Sequence, residues 1–165
     1  MPFSSDDNEK PKKRLTPTEA LARAYRYCAY QERSHQEVKS KLYSFGLYAD
    51  EVDELVSRLI TEGFLNEERF AKAYAGGKFR VKKWGRVKIE NELNALGLSK
   101  NCITRGMKEI ADDDYHKALQ QLLEKKEAAS DEPNIFRKRD KLAKYAISRG
   151  YEPDLVWKVV KGLLP

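Results

Sequence analysis

Between Arg69 and Lys88 the chain places eight cations, Arg69, Lys72, Lys78, Arg80, Lys82, Lys83, Arg86 and Lys88, and no carboxylate. The whole chain has 26 acidic residues in 165, so twenty consecutive positions without one are rare by chance. Phe79 and Trp84 interleave with these cations. Ammonium and guanidinium groups neutralise phosphates, and an aromatic face can stack on a base or on a partner side chain. The mixture therefore suits a polyanionic surface. A second basic run, Arg137, Lys138, Arg139, Lys141 and Lys144, follows nearer the C-terminus. The stretch of the first third that corresponds to it holds His35, Lys39 and Lys41. Any single lysine here is explained by a solvated helix face with ion pairs along it. The acid-free run, taken as a unit, points instead to a contact with a polyanion or a filament. A formal net charge of +6 and a pI near 9.2 lean the same way.

Groups able to do catalytic chemistry are few. His35 and His116 are the two histidines, and neither has a partner at metal-ligand spacing. Gly76-Gly77 lacks the lysine-serine or lysine-threonine ending of a phosphate loop. Asp112-Asp113-Asp114 reads as an acidic helix start that complements the helix dipole. Cys28 and Cys102 are isolated and sit in helical patterns, which makes them buried free thiols. No catalytic residue, metal or cofactor is expected, and a binding protein is favoured over an enzyme. The sequence shows neither an apolar stretch of membrane length nor a signal-peptide core, so a soluble cytoplasmic protein is expected.

The elements that must position the cations are helices. Thr16-Pro17-Thr18-Glu19 and Ser34-His35-Gln36-Glu37 are capping boxes that open two of them. Asp50 is the expected cap of a third, whose Val52, Leu55, Val56, Leu59 and Ile60 recur at helical spacing. Further helices are expected from Asn66 to about Val81, from about Gly85 to Leu96, from Ser99 to about Ala111, from Tyr115 onward, over Ile135–Arg149 and over Pro153–Leu164. KEAASDEPN at 126–134 is the one plausible internal linker. Gly76-Gly77 should interrupt the fourth helix, as a bend, a tight crossing or a pliable point. No alternating β-branched run predicts a strand.

Gly46, Gly97 and Gly150 set these helices in register. Aligned on them, Val38, Ile89 and Leu142 share a column, as do Leu42, Leu93 and Ala146. Downstream, Leu47, Leu98 and Tyr151 agree, then Val52, Ile103 and Val156, then Val56, Met107 and Val160, then Leu59, Ile110 and Leu163. A period near fifty residues marks an array of supersecondary units. The expected architecture is all-α, three tandem three-helix repeats forming an elongated, curved, right-handed-type helical array. Its expected parts are a disordered arm over 1–15 and repeats over 16–64, 65–112 and 113–165. In that register the second helices share a basic character. Tyr43, Tyr48 and Tyr151 fall near helix ends, where packing between repeats explains them better than ligand stacking.

With this register in place, the chain resembles the RecX family of bacterial recombination regulators over about residues 18–165. The likeness rests on Tyr27, Cys28, Ala29, Arg33, Ser34, Glu37, Val38 and Leu42, on Gly63-Phe64-Leu65-Asn66-Glu67-Glu68-Arg69-Phe70-Ala71, on Lys88-Ile89 with Glu92-Leu93 and Gly97, and on Arg149-Gly150-Tyr151. Asn66-Glu67, Lys83-Trp84-Gly85 and Tyr115 depart from the family's pattern. The resemblance implies a monomeric, non-enzymatic modulator of the RecA recombinase, lodged in the groove of the RecA filament on single-stranded DNA. It further implies limited filament growth and suppressed strand exchange, ATP hydrolysis and co-protease activity. The charge pattern leaves two alternatives, a direct single-stranded nucleic-acid binder and a helical-repeat adaptor.

Overall fold

The computed structural model describes residues 14–165, so the expected arm lies outside them apart from Arg14 and Leu15. Among the described residues the chain is all-α, with nine helices and no strand. They are α1 (Pro17–Tyr30), α2 (His35–Ser44), α3 (Ala49–Thr61), α4 (Glu67–Lys82), α5 (Arg86–Ala95), α6 (Lys100–Met107), α7 (Asp112–Ala128), α8 (Ile135–Ser148) and α9 (Pro153–Leu163). The chain divides into two compact units, Met1–Phe70 and Ala71–Pro165, with the boundary inside α4.

In the first unit α1, α2 and α3 pack on one another. Both expected capping boxes form. The Glu19 N–H donates to Thr16 Oγ1 at 3.2 Å, and the Thr16 N–H donates to the Glu19 carboxylate at 3.4 Å. Ser34 and Glu37 repeat the pattern at 3.1 and 3.4 Å. α3 differs from expectation, because Glu51 reaches back to accept from the Tyr48 N–H at 3.0 Å and starts the helix at Ala49. Asp50 therefore lies in the first turn, where its charge still favours the dipole. Leu21, Ala24, Cys28, Val38, Leu42, Val52, Val56 and Leu59 are in the buried core, with the Tyr25 and Phe64 rings packed at a tilt at its edge.

Four of the six columns of the repeat are buried throughout, while Met107 and Leu163 are half-buried in the other two. Val38, Ile89 and Leu142 are buried, as are Leu42, Leu93 and Ala146, then Leu47, Leu98 and Tyr151, then Val52, Ile103 and Val156. Each valine, leucine or isoleucine so buried contributes roughly 1.5–3 kcal/mol, which is why the sequence holds these columns apolar. Gly46, Gly97 and Gly150 end α2, α5 and α8 in the left-handed region, with φ of 85°, 79° and 99°.

In the second unit α5 packs on α6, and α7, α8 and α9 pack on one another. Three features depart from the sequence expectation. α4 runs unbroken through Gly76-Gly77, because Ala71, Ala75 and Phe79 are buried along one stripe and offset a glycine cost of about 1 kcal/mol each. Gly76 gives room to Arg80, whose Nη2 would lie 2.6 Å from an added Cβ. A tight crossing exists elsewhere, where a Cβ on Gly106 of α6 would come within 2.5 Å of the Ala71 Cβ. α6 ends at Met107 rather than near Ala111, because i→i+3 bonds from Glu109 and Ile110 tighten the next turn and bury Ile110. α7 continues to Ala128, which leaves only 129–134 of the expected linker outside helices. Asn134 then caps α8, its Oδ1 accepting from the Phe136 and Arg137 N–H groups at 3.0 and 3.1 Å.

Candidate anion-binding interface

Seven of the thirteen cations in the two basic runs are engaged as follows. Arg69 bonds Glu32 and donates to the Gly63 carbonyl at 3.0 Å, all within the first unit. Arg86 donates to the Ile110 carbonyl at 3.1 Å and to Asp112 at 2.6 Å, with its guanidinium 4.1 Å from the Tyr115 ring centre. Lys138 reaches Glu127 at 2.7 Å, and Lys141 reaches Glu132 at 2.6 Å. That second contact, with lesser help from the Asn134 N–H and then Arg137, holds the Glu132 carboxyl below its usual range. Arg139 donates to the Leu164 carbonyl at 2.9 Å. Lys78 and Lys88 both lie over Trp84, at 5.0 and 4.4 Å from the ring centre, so cations already occupy that indole. Arg80, Lys82, Lys83, Arg137 and Lys144 are exposed and stand in no salt bridge among the described residues. Lys72 is exposed on α4.

Next to Arg86 two sequence motifs interlock. The Gly85 N–H donates to the Arg149 carbonyl at 2.8 Å and the Val87 N–H to the Gly150 carbonyl at 2.9 Å. These bonds join the turn before α5 to the C-terminus of α8 and satisfy carbonyls that would otherwise lack partners. The fit leaves no room for side chains: a Cβ on Gly85 would lie 2.2 Å from the Gly150 carbonyl carbon, and one on Gly150 would lie 2.3 Å from Lys88 Cβ. Tyr151 donates to the Lys83 carbonyl at 3.0 Å, and its ring stacks on Tyr115 at 5.1 Å. The Tyr115 hydroxyl donates to Glu152 at 2.6 Å and accepts from the Arg86 N–H at 3.1 Å. Burial, then Glu152, pushes the Tyr115 phenol far above its ordinary range. Burial likewise pushes Tyr151 up to about 12. Tyr151 is thus a packing residue between helices of this unit, whereas Tyr43 and Tyr48, read in the same way, are exposed.

A few residues away the same run opens into a cavity of about 400 Å³ between the ends of α4, α7 and α8. Lys82 and Lys83 line one side, Lys125 and Lys126 another, and Arg149 with Tyr145 a third, with no carboxylate among the lining residues. Lys126 sits 4.5 Å from the Tyr145 ring centre, and Arg149 donates to the Tyr145 hydroxyl at 3.2 Å. Lys83 adopts φ 59°, the only non-glycine with positive φ among the described residues. The structure thus brings Lys82 and Lys83 together with four residues that the sequence did not nominate for a site. The α8 contribution carried a signal, since Tyr145 and Arg149 are four apart and Arg149 precedes Gly150, one of the glycines that set the register. Lys126 stands in the stretch read as a linker, which hid its place beside Lys125 in the last turn of α7. The remaining basic candidates of α8, Arg137 and Lys144, do not line this cavity.

Comparison with known proteins agrees with this architecture. Residues 20–59 match the first three-helix domain of RecX, and residues 66–107 match its second three-helix domain. Regulatory protein RecX from Pseudomonas savastanoi pv. phaseolicola is 28% identical over 147 residues, covering 89% of this chain and 93% of the relative. The chain belongs to the RecX family. Regulatory protein RecX from Prosthecochloris aestuarii is 27% identical over 145 residues, covering 88% of this chain and 93% of that protein. A crystal structure of RecX from Lactobacillus salivarius superposes with a TM-score of 0.80 at 21% identity, over 89% of this chain and 96% of that one, which establishes a shared fold.

Within this RecX chain the residues that signalled the family turn out to be mostly architectural. Gly63 starts the turn onto Leu65, Arg69 fastens that turn from α4, and Gly150-Tyr151 forms the interlock with Gly85. The cavity lies beside these fixed points rather than on them. Among the described residues no group of three or more metal-ligating side chains converges, and no helix is long and apolar enough to cross a membrane.

Proposed function

We propose that this chain is a non-enzymatic regulator of the RecA recombinase that binds the groove of the RecA filament on single-stranded DNA. In this reading it acts as a cytoplasmic monomer built of three modules, over 16–64, 65–112 and 113–165. It inhibits filament extension, ATP hydrolysis, strand exchange and co-protease activity. Membership of a family whose relatives carry the name regulatory protein RecX supports a regulatory role. The observation that supports a nucleoprotein partner is the cluster of unneutralised cations around Tyr145, since such a cluster is matched by a polyanion. Arg80, Arg137 and Lys144 extend the exposed basic surface available to it.

The test is the DNA-dependent ATPase of the cognate recombinase with this protein added below stoichiometry. Inhibition is the expected result, and an unchanged rate at saturating protein would rule the proposal out. A second reading, in which single-stranded nucleic acid itself is the principal partner, is favoured by the same acid-free cavity. It requires affinity for naked strands with a slope against log salt of several phosphates.

A further inference from the structure

We propose that the cavity between α4, α7 and α8 is a seat for the phosphates of a nucleotide, with the Tyr145 ring as the wall against which its base or sugar lies. The choice of a nucleic-acid strand as the source of that nucleotide rests on the reading above; the site itself does not.

Charge is the first ground. Lys82, Lys83, Lys125, Lys126 and Arg149 converge from three elements on about 400 Å³ with no acid in the lining. None of the five takes part in a salt bridge among the described residues. Acids are close in sequence but held elsewhere: Glu124 accepts from Gln120 at 2.9 Å, and Glu127 accepts from Lys138 at 2.7 Å. The same unit neutralises Arg86, Lys138 and Lys141 with carboxylates, so the cavity is an exception to the chain's own practice. Gathered like charges repel, and a bound anion converts that repulsion into attraction.

Backbone conformation is the second. The left-handed turns at 46, 63, 97 and 150 all use glycine, whereas the turn that ends α4 puts lysine there, at φ 59°. Its N–H donates to the Phe79 carbonyl at 3.1 Å, and its carbonyl accepts from Tyr151, so the conformation is held from both sides. A residue kept in a costly conformation where glycine would serve marks its side chain as the useful part.

Shape is the third. The volume lies within the range of small-ligand sites. Arg149 and Lys126 flank Tyr145, and Val81 stands at the rim with 77% of its surface exposed. Point charges around a ring and an apolar edge suit a phosphate joined to a base and sugar. An acidic peptide spreads single charges along its length, whereas these five cations meet at one place.

The experiment measures fluorescence anisotropy of a labelled single-stranded oligothymidine with the full chain, over a salt series, with unlabelled ATP as competitor. The cavity variants are Lys125→Gln with Lys126→Gln, and separately Lys82→Gln with Lys83→Gln. Lys117→Gln with Lys161→Gln, both exposed and remote from the cavity lining, removes the same charge elsewhere. Each cavity pair should weaken binding about tenfold and lower the salt slope by about 1.4, at roughly 0.7 per phosphate contact on a single strand, while the control pair shifts the slope little. Displacement by ATP would identify free nucleotide as a source, and strand binding without displacement would identify the strand; either supports the site. Equal loss in cavity and control pairs, or no loss in the cavity pairs, overturns it. Loss of recombinase inhibition in the cavity pairs with strand affinity intact also overturns it, in favour of an acidic protein contact. If the unmodified chain binds the strand through these residues yet leaves the recombinase ATPase unchanged, the regulatory reading fails and the site stands.

Discussion

Within the seven residues from Lys82 to Lys88, cations of one kind are put to opposite uses. At Arg86 the guanidinium meets a carbonyl, a carboxylate and an aromatic face, and the neighbouring backbone is bonded to the end of α8. At Lys82 and Lys83 no carboxylate answers, the backbone of Lys83 is left-handed, and the side chains line open volume with three further cations. The difference teaches that charge density along a chain does not locate a binding surface. The placement of carboxylates in space does, because a paired cation is already committed and an unpaired cluster has free energy to gain from an anion.

The comparison breaks if the interlock is loose. Gly85→Ala pushes a methyl into the Gly150 backbone from 2.2 Å, with main chain on both sides and no flexible atom to yield. We expect a loss of about 3 kcal/mol or more in a denaturant or thermal melt. Gly97→Ala gives the internal contrast. It holds the place in the glycine register that Gly150 holds, with φ 79° but open space around its Cβ, so it should cost only about 1 kcal/mol. Gly85 has an ordinary φ of −75°, so a loss there no larger than at Gly97 would mean that the two turns are not in close contact.

Next in size is the hydroxyl at the centre of the interlock. Tyr115→Phe leaves the Arg86 N–H without an acceptor and Glu152 without its donor, which should cost about 2 kcal/mol. The pH dependence carries the same signature. Both Tyr115 and Tyr151 have phenols raised above 10.0, Tyr151 to about 12. Below pH 10 both states keep these protons and stability is flat on their account. Above it the unfolded chain releases them while the native state retains them, so stability falls by about 1.4 kcal/mol per pH unit for each tyrosine. Alkaline melts of Tyr115→Phe should show the slope reduced by one such increment. An unchanged slope would mean that Tyr115 titrates normally in the folded protein.

Much of the fold was legible because the repeat is written in core positions. Columns such as Val38, Ile89 and Leu142 are buried wherever they occur, and the glycines that set their register do have positive φ. Misreadings came where tertiary contact overrides local preference. Gly76-Gly77 looks like a breaker, yet burial of the stripe through Phe79 carries the helix across. Asp50 looks like a cap, yet Glu51 starts the helix earlier. The cavity was only half legible. Lys82 and Lys83 stand in a conspicuous run, but whether a lysine is free depends on acids distant in sequence, as with Arg86 and Asp112, 26 residues apart. Nothing local separates Arg86 from Lys83.

Lys83 sharpens the contrast at a smaller scale. Lys83→Gly keeps the turn, relieves the left-handed conformation and removes one of five like charges, so it should stabilise the protein by up to about 1 kcal/mol. The same variant should weaken binding of a single-stranded oligonucleotide. A gain in stability coupled to a loss in binding is what a residue held for a ligand would give. Loss of stability would place Lys83 with Arg86 as part of the architecture and erase the distinction between the two ends of the run.

The smallest effect tests the other side of the comparison. Lys141 is exposed, pairs with Glu132 at 2.6 Å and belongs to the basic run of α8 that charge density alone would nominate. The ammonium is exposed to solvent, so Lys141→Gln should change stability little at neutral pH. Glu132, freed of Lys141, should titrate closer to an ordinary glutamate, because that contact is the main cause of its depressed range. A group held low stabilises the native state above its unfolded range and loses that contribution as pH falls, so the variant's melts should differ from those of the unmodified chain at neutral pH and converge with them in acid. Its strand affinity should match the unmodified chain, since the ammonium it removes was already neutralised. A loss as large as that of the cavity pairs would show that pairing does not spend a cation, and the distinction drawn between Arg86 and Lys83 would fall with it.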